Sequence, residues 1–363
     1  MYIRGFPRRR RAEFRRPTNV IRPTALFVLD PAAADDVYPP AVRATVASLA
    51  DVLAPPMSAA EARERPDLLV RAEVLMSGWF GPRLDAAFLD AAPQLRTVFY
   101  AAGSTNLLMT DEAYRRGIRV TSAYAANAAP VAEYTLSTVL FSLKHGWAAA
   151  RATRERRAFA PPATVPGAYG STVGLVSLGM TGRAVASLLQ PFDVIVVAHD
   201  PLTTAGDASS LGVELVSLDD VFARGDVVSI HAPLLDETVG LIRGRHVAAM
   251  RPGATLINTA RGAIVNEPEL TDVLARRPDL HAVLDVTFPE PPVASSPLYT
   301  LPNVTLTPHI AGSLGAECGR MGRAMADELR RYVSGRPLKW EVTPALAAHS
   351  SHRPGRVLVA QPA

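Results

Sequence analysis

Three apolar runs late in the chain each lead to a residue that can hold or move charge. INTARGAIVNEPEL (257–270) carries Arg261, LDVTFPEPP (284–292) carries Glu290, and LPNVTLTPHIAGS (301–313) carries His309. A guanidinium grips a carboxylate through paired N–H donors, an imidazole moves protons near neutral pH, and a carboxylate can orient that imidazole and stabilise its charged form. Taken singly, each residue also has a plain structural role: a surface ion pair for Arg261, a turn position for Glu290 before two prolines, a loop hydrogen bond for His309. Together, just past consecutive apolar strands, they form a set able to bind an acid and move a proton on it, because open α/β sheets hold ligands at the carboxyl ends of their strands.

Upstream, TVGLVSLGMTG (172–182) breaks an apolar run into a glycine-spaced turn. In a strand-turn-helix unit, G-x-G-x-x-G makes a tight turn, lets backbone approach a pyrophosphate and lets helix pack on strand. Gly179 and Gly182 keep the last two roles, with Met180 and Thr181 between them, while Ser177 stands at the first glycine position. Serine fits there at negative φ; only a positive φ would call for glycine. Asp200 ends the next apolar run, eighteen residues past Gly182, close to the offset of about 20 for a carboxylate that binds an adenosine ribose. Such a carboxylate repels a 2′-phosphate, so NAD is expected and NADP disfavoured.

Positioning these residues takes two series of alternating strands and helices. From residue 24 to about 125, TALFVL, EVLMS, LRTVFYAAG and IRVTSA alternate with helical patterns; from 172, TVGLVSL, DVIVVAHD, DVVSIHA, ATLINTA, HAVLDV and VTLTPH repeat the arrangement. Strands separated by helices predict βαβ units, and runs apolar on both faces predict parallel sheets covered by helices, hence two α/β domains. Between them, the stretch from Asn127 to Arg157 predicts one long helix, with Asn127 as N-cap and Pro130 in its first turn. A final helix is expected from about Leu314 to Ser334, and a loose tail over 341–363. Trp79 is a candidate wall for a pocket or an aromatic packing its own loop.

Composition limits the partners. Across 363 residues, 48% hydrophobic and 20% charged fits a globular protein of two domains. The net charge is +4, but residues 1–22 alone carry +7, leaving −3 for the body. That basic arm is expected to be disordered and solvated, with nucleic-acid binding as its alternative use. No apolar stretch reaches the ~18 residues of a membrane span. A single cysteine, Cys318, permits neither an internal disulfide nor a cysteine metal cluster, and the histidines show no ligand spacing, so no metal is expected. A cytoplasmic protein is expected.

The three late segments and the glycine turn resemble the D-isomer-specific 2-hydroxyacid dehydrogenases, from about residue 70 to 335. The family pattern is an Asn-x-x-Arg-Gly strand end, an Asp-Val-Phe-x-x-Glu-Pro loop and a Thr-Pro-His-x-Ala-Gly strand end. The resemblance implies two Rossmann-like or flavodoxin-like domains with parallel sheets, the nucleotide-binding domain (127–312) being inserted into a discontinuous substrate domain (23–126 and 313–340). It implies Arg261 on the substrate carboxylate and carbonyl, His309 as acid/base and Glu290 as its partner. Gly103 and Ser104 of AAGSTN would receive the substrate carboxylate. His231, Ala232, Pro233, Thr238, Thr259, Ala260, Asp285 and Gly312 would line the cofactor, with Asp285 facing the nicotinamide carboxamide. A small 2-oxo or 2-hydroxy acid substrate and a homodimer are implied too. Ser177, Met180-Thr181, Asn266 and Ser313 depart from the family pattern, which bears on cofactor affinity. The alternative from another functional class is a catalytically idle dinucleotide sensor on the same fold.

Overall fold

The computed structural model describes residues 22–159 and 165–350. The expected basic arm, apart from Arg22, lies outside the described residues, as do part of the proline-rich loop and the tail beyond Ser350.

Two parallel sheets organise the chain. In the first, β1 (Thr24–Val28), β2 (Asp51–Val52), β3 (Val74–Ser77), β4 (Thr97–Tyr100) and β5 (Arg119–Ser122) stand in the order 2-1-3-4-5. In the second, β6 (Thr172–Val176), β7 (Ile195–His199), β8 (Val213–Leu215), β9 (Val227–Ile230), β10 (Thr255–Asn258), β11 (His281–Leu284) and β12 (Val304–Leu306) stand in the order 12-11-10-9-6-7-8. This is a mixed α/β protein with two Rossmann-like units. Helices cover both faces, so β3, β4, β9, β10 and β11 are buried at every position. Each buried Val, Leu or Ile there stabilises the fold by about 1.5–3 kcal/mol relative to exposure. The strand order reverses between β6 and β9, where a doubly wound sheet opens a crevice beyond its carboxyl ends.

The last long helix, Cys318–Val333, returns to the first sheet and packs Met321, Met325 and Leu329 against Phe27, Tyr38 and Phe99. Gly322 permits this approach, since a Cβ there would meet the Val37 carbonyl oxygen at 1.8 Å.

Three expectations need correction. The crossing helix begins at Tyr124, so Asn127 lies inside it and does not cap it; its Oδ1 instead accepts from Ser313 N (3.0 Å), where the chain crosses back. That helix ends at Ser142, and a second one runs from Gly146 to Arg156. His145 breaks the path at φ 49°, and the Phe141 ring folds over Gly146, where a Cβ would lie 2.5 Å from it. Finally, residues 341–350 are not loose. Glu341 bridges antiparallel to Thr121 of β5, Arg119 donates to both of its carboxylate oxygens (2.8 and 2.7 Å), and Val342 is buried in the first core. A short helix follows at Pro344–Ala348. The sequence lacked a periodicity here because one buried valine and a bridge hold the segment.

Among the described residues, no helix is long and apolar enough to cross a membrane, and no cluster of potential metal ligands occurs. Trp79 packs between the two cores of the first sheet and does not border the cleft described below.

Candidate active site

The glycine turn follows β6 at the crevice. Gly179 precedes the helix Met180–Leu189 without a side-chain cap, leaving the first N–H groups of that helix for an anion. A Cβ on Gly179 would meet only Ser177 Oγ, at 3.8 Å, whereas one on Gly182 would strike Ser177 O at 2.2 Å. Gly179 thus leaves room for an approaching group, and Gly182 lets helix lie on strand. Ser177 has φ 78°, the positive value that favours glycine. Its hydroxyl donates to Asp200 Oδ2 (3.1 Å), which also accepts from Leu178 N (2.7 Å); Oδ1 accepts from Leu202 N and Thr203 N (2.8 and 2.9 Å). Burial works against charge on Asp200, yet these hydrogen bonds hold it below the usual carboxylate range. Asp200 therefore stands at the end of β7 with both oxygens engaged by its own loops.

Past β9, His231 is buried, neither ring nitrogen has a hydrogen-bond partner among the described residues, and burial pushes its pKa down to about 4. His231, Ala232 and Pro233 border the cleft. Thr238 does not: its hydroxyl closes its own turn, accepting from Leu235 N at 2.8 Å and donating to Pro233 O at 2.6 Å.

The turn after β10 is braced by Asn258, whose side chain accepts from Ala260 N and donates to Arg261 O, each at 3.1 Å. Gly262 presses this turn against the next loop, since a Cβ would lie 2.0 Å from the Thr287 carbonyl carbon. Arg261 forms no ion pair among the described residues; its Nη1 donates to Ala260 O (2.5 Å). Burial pushes its guanidinium pKa down, and the charge of Glu290 acts against that.

Asp285 ends β11, buried and turned into the loop after β12. Its Oδ1 accepts from Thr307 Oγ1 (2.6 Å) and Ile310 N (2.8 Å), and its Oδ2 from Ala311 N (2.9 Å). Its carbonyl also receives His309 N (3.0 Å), which fixes His309 at φ 55°. His309 Nδ1 then meets Glu290 Oε1 at 2.5 Å, both side chains half-exposed. Asp285 thus positions the histidine backbone while Glu290 positions its ring.

A cleft of about 370 Å³ joins the two sheets. Gly179, Met180, Thr181, Thr259, Ala260 and Arg261 border it from the second, and Gly103 and Ser104 from the first. The loop carrying Gly103 is pinned by the Ser122 hydroxyl, which donates to Ala102 O (2.8 Å) and Gly103 O. Glu290 and His309 lie outside the cleft lining, as do Asp285 and Gly312.

The sequence profile of the NAD-binding domain of D-isomer specific 2-hydroxyacid dehydrogenases matches residues 136–311. The (S)-sulfolactate dehydrogenase of Chromohalobacter salexigens is 36% identical over 254 residues, covering 69% of this chain and 82% of that protein. The chain belongs to the D-isomer specific 2-hydroxyacid dehydrogenases. Within this family it is also 36% identical over 252 residues to the D-3-phosphoglycerate dehydrogenase of Mycobacterium tuberculosis, covering 69% of this chain and 48% of that one. It thus spans about half the length of the phosphoglycerate dehydrogenases it matches. A solved structure from Thermus thermophilus superimposes with a TM-score of 0.68 at 30% identity, covering 88% of this chain and 100% of that one.

The nucleotide-binding domain of this dehydrogenase family takes a nicotinamide dinucleotide, and the open Gly179 approach, the uncapped helix and the unpartnered His231 fit such a group. Reading the dehydrogenase sequence missed other cleft residues: Thr105, Tyr124, Asn127, Val131 and, from the C-terminal segment, Val342, Leu346, His349 and Ser350. Asn127 was noticed only as a helix cap, and nothing local in 342–350 signals a site.

Proposed function

We propose that this protein interconverts a 2-oxo acid and a D-2-hydroxy acid with NAD(H). The carrying observation is the 2.5 Å pairing of His309 Nδ1 with Glu290, whose loop presses through Thr287 against the Arg261 turn at Gly262. We assign residues 127–312 to cofactor binding, and 23–126 with 313–340 to substrate binding.

The residues that would hold the cofactor are Gly179, Met180 and Thr181 at the pyrophosphate, with Gly182 packing their helix on the strand, Asp200 at the adenosine ribose, and His231, Ala232, Pro233, Thr259 and Ala260 along the remainder; Asp285 and Gly312 lie outside the cleft lining, and the Thr238 hydroxyl is engaged in its own turn. When bound, a nicotinamide dinucleotide supplies or receives the hydride. Asp200 favours NAD over NADP by repelling a 2′-phosphate. Arg261 and the backbone N–H groups of Gly103 and Ser104 take the substrate carboxylate. Glu290 holds Nδ1, leaving Nε2 of His309 to give a proton to the oxygen on C2 during reduction, or to take it during oxidation. Arg261 and the protonated ring both strengthen their hold as negative charge builds on that oxygen, which is what lowers a barrier as opposed to tightening binding alone.

The test is NADH oxidation against a panel of 2-oxo acids. Turnover supports the reading; a silent panel alongside tight NADH binding would favour the idle sensor. We also propose a cytoplasmic homodimer. Helix Gly146–Arg156 buries none of its residues in the single chain, and Phe159 and Tyr169 are exposed beyond it. Light scattering that returned the mass of one chain would exclude the dimer.

A further inference from the structure

The C-terminal segment 342–350 enters the cleft from the side of the first sheet, where nothing in the proposed chemistry requires it. Its anchoring is specific. Ser122 N donates to Trp340 O (3.0 Å), Val342 N to Val120 O (2.8 Å), and buried Glu328 accepts from Lys339 N and Trp340 N (2.8 and 3.1 Å). Trp340 meets Tyr124 edge-on at 5.6 Å. Thr343 caps the short helix that follows, which brings Leu346, His349 and Ser350 to the cleft that also holds Arg261, Gly103 and Ser104.

No aspartate or glutamate borders this cleft, while Arg261 stands on one side and His349 on another. The His349 ring has no hydrogen-bond partner among the described residues, and Val342 and Leu346 supply apolar surface beside it. An imidazole presents an N–H donor in either tautomer and two when charged. A cleft with donors on two sides and apolar surface near one of them suits a short acid that is anionic at both ends.

Resting on the proposed reaction, we propose that Val342–Ser350 is the wall that receives the substrate beyond C2, and that His349 selects 2-oxo acids bearing a second anionic group. Arg261 and the Gly103–Ser104 loop take the carboxylate next to the reacting carbon, and His349 takes the distal one. Carboxylate, phosphate and sulfonate share the chemistry it reads.

Calorimetry on the NADH-saturated full chain tests this without turnover, using D-lactate and D-malate, which differ by one distal carboxylate. D-Malate is expected to bind about tenfold tighter or more, the effect of one charge-assisted hydrogen bond. His349→Ala is expected to abolish that preference and leave D-lactate binding unchanged, and His349→Arg to restore it. Equal affinities in the wild type, or a preference surviving in His349→Ala, overturns the wall proposal. Turnover of pyruvate with no malate preference sinks the wall alone, whereas silence on every 2-oxo acid sinks the enzyme reading and the wall with it.

Discussion

At the scale of single residues, the site combines two strained backbone positions, His309 and Ser177, with one tight pair. His309 is held at positive φ by Asp285, and its ring by Glu290. Left-handed backbone costs a non-glycine residue roughly 1–2 kcal/mol and persists where surrounding bonds over-determine it. Replacing His309 by Gln is expected to lower kcat by roughly 10²–10⁴ while NADH still binds; an unchanged kcat would remove His309 from proton transfer. Ser177 poses a subtler balance. Its positive φ costs about 1–2 kcal/mol, and its hydrogen bond to charged Asp200 returns about 1.5–3 kcal/mol. Ser177→Gly is therefore expected to leave the unfolding free energy nearly unchanged. It should tighten NADH binding, because Asp200 Oδ2, still held by Leu178 N, loses its hydroxyl donor and can accept a ribose hydroxyl in its place. Fluorescence titration showing weaker NADH binding in the variant would reverse this account.

At the scale of elements, the sequence was most informative where strands end. Arg261, Glu290 and His309 follow β10, β11 and β12, which are adjacent in the sheet, so order along the chain became neighbourhood in space. The helices were less legible. Asn127 looked like a cap because asparagine before an apolar run usually is one, but its side chain is drawn to Ser313, 186 residues away. The break at His145 depends on Phe141 covering Gly146, a contact that no helical period encodes. Asn266, by contrast, does cap the helix Glu267–Arg276, accepting from Glu269 N at 3.2 Å, a bond made within three residues. The close approach at Gly262 was likewise invisible, although it aligns the Arg261 turn with the Glu290 loop. Gly262→Ala must move one backbone away from the other. The expected result is a loss of several kcal/mol in stability, in line with overpacking of about 1–3 kcal/mol or more, and a fall in activity exceeding that of Arg261→Lys. Chemical denaturation and steady-state rates of the two variants check both parts.

For the whole molecule, two buried histidines set a limit in acid. Burial holds His231 and His281 near a pKa of about 4 against an ordinary 6.5. Between those values the unfolded chain binds protons that the folded chain refuses, so stability falls as pH drops through that window and is complete above it. Each histidine contributes up to about 3 kcal/mol. Urea midpoints measured from pH 7 to 4 are expected to fall steadily, and less steeply in His281→Gln. A flat profile would mean that both rings protonate in place.

The return of Cys318–Val333 and Val342 to the first sheet also orders the birth of the molecule on the ribosome. The unit whose strands are made first is completed after the other, since the core of β1–β5 lacks Met321, Met325 and Leu329 until residues 318–333 have been made. The middle unit, whose strands are contiguous from Thr172 to Leu306, has no such wait. Nascent chains stalled with residue 312 just beyond the exit tunnel should resist protease across 172–306 and remain cleavable across 24–122, the reverse of the usual vectorial sequence.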